Sequence, residues 1–170
     1  ILLLIQIGGL GIITIMSGLM LLLNRKMGIG DRLLIQDAFN LNTMSGLAKF
    51  VKNVLFGTLI IEGVGAVLYM LVFVPEFGVR GIWISVFNSV SAFCNAGFDI
   101  MGTEGAKFAS ITSYLGNPVI NITVMLLIVI GGIGFLTWED ICTNKLHFKH
   151  YRMQSKVILV TSALLILFPA

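Results

Sequence analysis

Residues 81–98 read GIWISVFNSVSAFCNAGF, eighteen consecutive positions without a charge. On length alone this approaches the ~20 residues that cross a bilayer as a helix. Its content points elsewhere, because Ser85, Asn88, Ser89, Ser91 and Asn95 make it far more polar than the runs around it. Crossing, or dipping in and returning, are two different architectures. Basic residues decide between them, since Lys and Arg collect on the cytoplasmic side of membrane proteins. If the stretch returns to the face it came from, Arg25, Lys26, Arg32, Lys49, Lys52, Lys145, Lys149, Arg152 and Lys156 share one side. Only Arg80 and Lys107 then lie opposite, a split of nine against two. If it crosses, the split is six against five. The stretch is re-entrant.

The surrounding chain has the composition of a membrane protein. Hydrophobic types make up 57% of its 170 residues and charged types 11%, with a mean hydropathy of +1.00. A soluble domain carries roughly 25% charged residues, and this little polar surface would not cover a small globule in water. Two cysteines exclude a secreted disulfide scaffold, and a scattered net charge of +3 excludes a nucleic-acid module. Four apolar runs flank the re-entrant stretch: 1–23, 53–74 (with one charge, Glu62), 117–138 and 157–170. The first three are long enough to span about 30 Å of hydrocarbon as helices, the form in which lipid leaves no backbone amide unpaired. The last is short for a span, and the chain opens on Ile1 without a basic leader. The expectation is therefore an internal piece of a longer protein.

These runs assemble into an all-α integral membrane fold. A complete unit occupies 53–138: a first helix at 53–74, a turn at 75–80, a pore half-helix at 81–93, a return loop at 94–99 and a second helix at 117–138. Loops 24–52 and 139–156 are placed in the cytoplasm, and 75–80 and 99–116 outside. Trp83, Tyr69 and Tyr114 fall where outer interfacial anchors are expected, and Trp138 and Tyr151 where inner ones are. An internal repeat supports the scheme. Ile7-Gly8-Gly9-Leu10-Gly11-Ile12-Ile13-Thr14 matches Ile130-Gly131-Gly132-Ile133-Gly134-Phe135-Leu136-Thr137 at an offset of 123 residues, with five of eight positions identical. Residues 1–23 are then the second helix of a preceding unit, and 157–170 begin the first helix of the next. Tandem units in a membrane protein suggest symmetry about a central path. Gly8, Gly11, Gly131 and Gly134 read as close helix-packing positions.

Non-helical backbone at membrane depth survives where it is buried in protein or faces water. In Phe93-Cys94-Asn95-Ala96-Gly97-Phe98-Asp99, Gly97 can take a positive φ without a Cβ clash, so that successive carbonyls point one way. Such carbonyls replace the water shell of a monovalent cation, and the negative end of the half-helix favours the same charge. Cys94, Asn95, Ala96, Gly97 and Phe98 are the candidate filter positions. Asp99 would raise local cation concentration at the outer mouth, or is simply solvated.

The run Ser89-Val90-Ser91-Ala92-Phe93-Cys94-Asn95-Ala96-Gly97-Phe98 resembles a pore-loop signature of the Trk/Ktr/HKT superfamily of potassium transporters. Gln6-Ile7-Gly8-Gly9-Leu10-Gly11 resembles the start of that family's second helices, and Ile61-Glu62-Gly63-Val64-Gly65-Ala66 its second unit's first helix. The resemblance implies four helix–pore-loop–helix (M1-P-M2) units in one chain, with the whole second unit and parts of two others present here. It places the filter glycine on Gly97, and Cys94 stands where the family's typical Asn does. It also implies potassium held by main-chain carbonyls near Gly97, no covalent cofactor, a dimeric pore subunit (a homodimer) and a cytosolic nucleotide-binding regulatory subunit. The gate lies in a unit this chain lacks, and sodium involvement is not legible here.

The remaining polar residues are read more plainly. Glu62 is taken as an intramembrane structural carboxylate bonded to a neighbouring helix or to the pore-helix backbone, with protonation and a transport role as the alternatives. Cys94 and Cys142 are assigned to opposite sides, which excludes a disulfide. His147 and His150 sit among cations and read as a solvated loop rather than a metal pair. Leu33, Leu34, Ala38 and Leu41 suggest an interfacial or partner-facing stripe. The function expected is potassium uptake across the plasma membrane, in contact with lipid and no nucleic acid, without a chemical step. A subunit of a tetrameric two-helix cation channel and a non-transporting membrane anchor are the rivals; a membrane hydrolase lacks a nucleophile–base pair in the spans.

Overall fold

The computed structural model describes residues 1–11, 44–102, 110–144 and 148–168, with side chains from 50 onward in the second of these segments. Every described element is helical: α1 (Leu2–Leu10), α2 (Met44–Phe77), α3 (Val79–Phe93), α4 (Pro118–Ile133), α5 (Phe135–Asn144) and α6 (Met153–Leu167), with 3-10 turns at Thr112–Tyr114 and Phe148–His150. Two compact units divide the chain, Ile1–Gly132 and Ile133–Ala170.

In α2 apolar side chains face outward as well as inward. Phe50–Phe77, 28 residues, is long and apolar enough to cross a membrane, with a mean hydropathy of 2.1 over its 18-residue apolar window. Phe56, Leu59, Val64, Val67 and Leu71 are exposed along it, whereas Thr58 and Glu62 are buried. The same holds for α3, where Ser85, Asn88, Ser89 and Ser91 are buried while Trp83 is exposed. Apolar side chains outside and polar ones inside suit a hydrocarbon solvent, in which every polar group must find its partner within the protein.

Helix α2 starts at Met44, so part of the expected loop 24–52 is helical, and it continues past Pro75 to Phe77. The expected turn at 75–80 shrinks to Gly78, whose φ of 58° begins α3. Its N–H donates to the Val74 carbonyl (2.9 Å) and its own carbonyl accepts from Gly81 (2.9 Å). A Cβ at Gly81 would overlap the Phe73 carbonyl, so the two helices leave the turn in backbone contact. Tyr69, expected as an interfacial anchor, is fully buried. Its ring stacks on Phe73 with centroids 5.7 Å apart, and Tyr114 meets Phe73 edge-on at 5.2 Å. The Tyr114 hydroxyl also donates to Glu76.

Asn117 starts α4: its Oδ1 accepts from the N–H groups of Val119 (3.0 Å) and Ile120 (3.4 Å), ahead of Pro118 at the first helical position. Where a single helix was expected over 117–138, α4 ends at Ile133, and Gly134, with φ +88°, separates it from α5.

In the second unit the expected loop 139–156 is partly helical, since α5 extends to Asn144. Buried Asp140 ties α5 to the start of α6, accepting from Arg152 N (3.1 Å) and the Ser155 hydroxyl (2.5 Å). His147 and the stripe Leu33, Leu34, Ala38 and Leu41 lie outside the described residues.

Candidate ion-binding site

The fifteen residues of α3 fix where the return loop begins. Leaving the helix, the loop keeps its donors turned back: Cys94 N–H donates to Val90 O (2.9 Å), Asn95 N–H to Ala92 O (3.1 Å) and Ala96 N–H to Ser91 O (2.9 Å). These bonds satisfy carbonyls that a helix end otherwise leaves orphaned. The loop's own acceptors are treated differently. Among the described residues, no hydrogen-bond donor reaches the carbonyls of Cys94, Asn95, Ala96 or Gly97. The Phe98 carbonyl instead accepts from the Ser91 hydroxyl at 2.6 Å.

Two left-handed residues shape this run, Asn95 with φ +53° and Gly97 with φ +71°. Gly97 was legible from its residue type. Asn95 was not, although Asn is the non-glycine residue that tolerates this conformation best, and that was the available signal. Of the candidate positions, Cys94 and Asn95 form a turn and Ala96 to Phe98 follow as irregular backbone. Asp99 closes it: its Oδ1 accepts from Met101 N–H at 2.9 Å, so part of the carboxylate's capacity serves a local turn. On one side of the loop is a largely apolar cleft of about 260 Å³, where Asn88, Ser91, Asn95 and Asp99 meet Phe98, Val124 and Ile128. Cys94 and Cys142 are both free thiols.

The loop is wedged between glycines of the two repeat copies. A Cβ at Gly131 would overlap the Phe93 carbonyl oxygen, and one at Gly9 would overlap Cys94 Sγ. The expected packing glycines therefore need correction. Gly131 packs closely, but among the described residues Gly8, Gly11 and Gly134 have nothing within 4 Å of an added Cβ, and it is Gly9 rather than Gly8 that meets a neighbour.

Glu62 lies behind α3 and is 6% exposed. Its Oε2 accepts from Gln6 Nε2 at 3.1 Å, and its main-chain carbonyl accepts from the Ser89 hydroxyl at 2.7 Å. One residue of α2 thus touches both α1 and α3. The Gln6 partner was missed because nothing in sequence spacing relates positions 56 residues apart. Thr58 Oγ1 and Glu62 Oε1, one helical turn apart, are buried without a hydrogen-bond partner among the described residues. No group of three or more His, Cys, Asp and Glu able to hold a metal ion occurs among the described residues.

The chain is 38% identical over 165 residues to a potassium/sodium uptake protein, NtpJ, of Enterococcus hirae, covering 96% of the chain and 35% of that protein. It is 34% identical over 163 residues to Ktr system potassium uptake protein B of Bacillus subtilis, covering 95% and 35%. With the protein of the same name from Vibrio alginolyticus it shares 30% over 168 residues, covering 96% and 35%. The chain thus spans about a third of the length of these relatives. The profile of the TrkH family, described as a cation transport protein, matches residues 2–168, and the chain is an all-α membrane protein belonging to that family.

Proposed function

We propose that the protein carrying this chain takes up potassium across the plasma membrane, and that ions pass main-chain carbonyls of residues 94–98. The observation that carries this reading is the sorting of polar groups in the return loop. The N–H groups of Cys94, Asn95 and Ala96 are spent on the last turn of α3, while the carbonyls of Cys94 to Gly97 meet no donor among the described residues. A carbonyl without a donor at membrane depth is costly unless something else coordinates it, and a partly dehydrated cation does so.

In this reading α2, α3 and α4 are the first helix, pore half-helix and second helix of one M1-P-M2 unit, and α1 closes the preceding one. Loops 24–52 and 139–156 face the cytoplasm. The relatives named as potassium or potassium/sodium uptake proteins support the choice of ion and leave sodium as a companion. The relatives named as parts of a Ktr system support a multi-component assembly, here a homodimer with a cytosolic nucleotide-binding regulatory subunit. Glu62 is structural, joining α1 to α2.

The test is substitution of Gly97 in the complete protein. An L-residue at φ +71° is strained by roughly 1–2 kcal/mol, and relief of that strain turns the flanking carbonyls. Gly97→Ala and Gly97→Ser should lower the potassium-over-sodium uptake ratio while leaving membrane insertion intact. An unchanged ratio in both variants counts against the assignment.

A further inference from the structure

Ser91 holds the return loop at two points. Its carbonyl accepts from Ala96 N–H at 2.9 Å, and its hydroxyl donates to the Phe98 carbonyl at 2.6 Å. Gly97 lies between the two anchors, with nothing within 4 Å of where a Cβ would be. Among the described residues no side chain occupies the space at its Cβ position, so the bonds on either side of Gly97 are what orient its carbonyl. One of those anchors is main chain and survives any substitution. The other is a single hydroxyl on a side chain that is 2% exposed.

The helix that carries this hydroxyl is itself held from the opposite direction. Ser89, two residues earlier and so about 200° around the helix, donates to the Glu62 carbonyl of α2 at 2.7 Å. One serine fastens α3 to the scaffold and the other fastens the loop to α3. From this we infer that Ser91 is a specificity-determining positioning residue, whose hydroxyl clasp across Gly97 sets the spacing of the outer carbonyls that meet the ion. The inference rests on the filter reading above and deepens it. The Phe98 carbonyl, drawn toward α3 by Ser91, acts mainly as the clasp's anchor, and Cys94 to Gly97 provide the free oxygens. Discrimination between ions of different radius depends on the number and spacing of such oxygens, so releasing the anchor weakens discrimination before it stops flux.

The experiment measures potassium and sodium uptake by the complete protein, with its amount in the membrane determined in parallel. Ser91→Ala removes the donor and should lower the potassium-over-sodium ratio by roughly threefold to tenfold, the scale of one lost hydrogen bond. Ser91→Thr keeps the hydroxyl and should hold the ratio within about twofold of the parent. If Ser91→Ala does not accumulate in the membrane, Ser91→Cys, close in shape but a weak donor, is read against the same two expectations. A parent-like ratio in the donor-deficient variant overturns the clasp, and so does an equal fall in the Ala and Thr variants, which would indicate packing rather than hydrogen bonding. Gly97→Ser is run beside them. If it shifts the ratio while Ser91→Ala does not, only the clasp fails; if neither shifts it, the filter reading fails as well.

Discussion

The two copies of the glycine motif, Ile7–Gly11 on α1 and Ile130–Gly134 on α4, share four of five residues and reach different ends. Both helices end at the same place in the motif. Helix α1 stops at Leu10 and α4 at Ile133, equivalent positions at the 123-residue offset. The next residue is left-handed in both, Gly11 at φ +77° and Gly134 at φ +88°. Their contacts differ. In α1 the second glycine, Gly9, faces the return loop through Cys94, whereas in α4 the first, Gly131, lies against the Phe93 carbonyl. Gly132, the counterpart of Gly9, has only Asn95 Nδ2 at 3.8 Å from an added Cβ. A repeated sequence thus repeats a backbone conformation, while the neighbour each helix meets selects the glycine that must stay bare.

The sharpest way to break this comparison is to fill equivalent positions. Gly131→Ala drives a Cβ into the Phe93 carbonyl, main chain that cannot swing aside, at the head of the return loop. It should cost about 1–3 kcal/mol and abolish most uptake by the complete protein. Gly8→Ala, the same residue in the other copy, meets nothing within 4 Å and should stay within about 0.5 kcal/mol. Equal effects in thermal unfolding and uptake would remove the asymmetry.

The symmetric half of the comparison makes a smaller prediction. Gly11→Ala and Gly134→Ala each place a Cβ at positive φ without a steric neighbour among the described residues. Each should lower stability by about 1–2 kcal/mol, and by similar amounts, in detergent thermal melts. A large difference between them would mean that the shared conformation carries a different load in each copy.

The smallest effect tests whether the copies are joined. Gln6 stands just ahead of the first motif, and its bond to Glu62 ties α1 to α2, whose Glu62 carbonyl holds α3 through Ser89. A double-mutant cycle with Gln6→Leu and Glu62→Leu should give a coupling of about 1 kcal/mol in the same melts. Additive losses would show that the bond does not contribute to stability.

Particular residues show why the chain was legible only in part. The end of α3 at Phe93 could be read because Asn95 and Gly97 interrupt the uncharged run, while the basic-residue count of nine against two bears on the proposed topology alone. The start of α2 at Met44 could not, because the charges of Lys49 and Lys52 say nothing about where a helix begins. Tyr69 misled for a related reason. A tyrosine near a span's end suits an interface, and only the proximity of Phe73 makes burial the better outcome.

By itself the sequence determined the apolar solvent, the repeat and the need for a left-handed residue at Gly97, and it set the expectation of a re-entrant segment. Those follow from side-chain transfer energies and from backbone sterics, which act within a few residues. The tertiary structure alone decided that Ser91 spans Gly97 to reach Phe98, that Gln6 meets Glu62, and that Gly9 and Gly131 flank the loop. Those are contacts set by how helices lean on one another, and a helix offers several faces that the chain's order leaves equivalent.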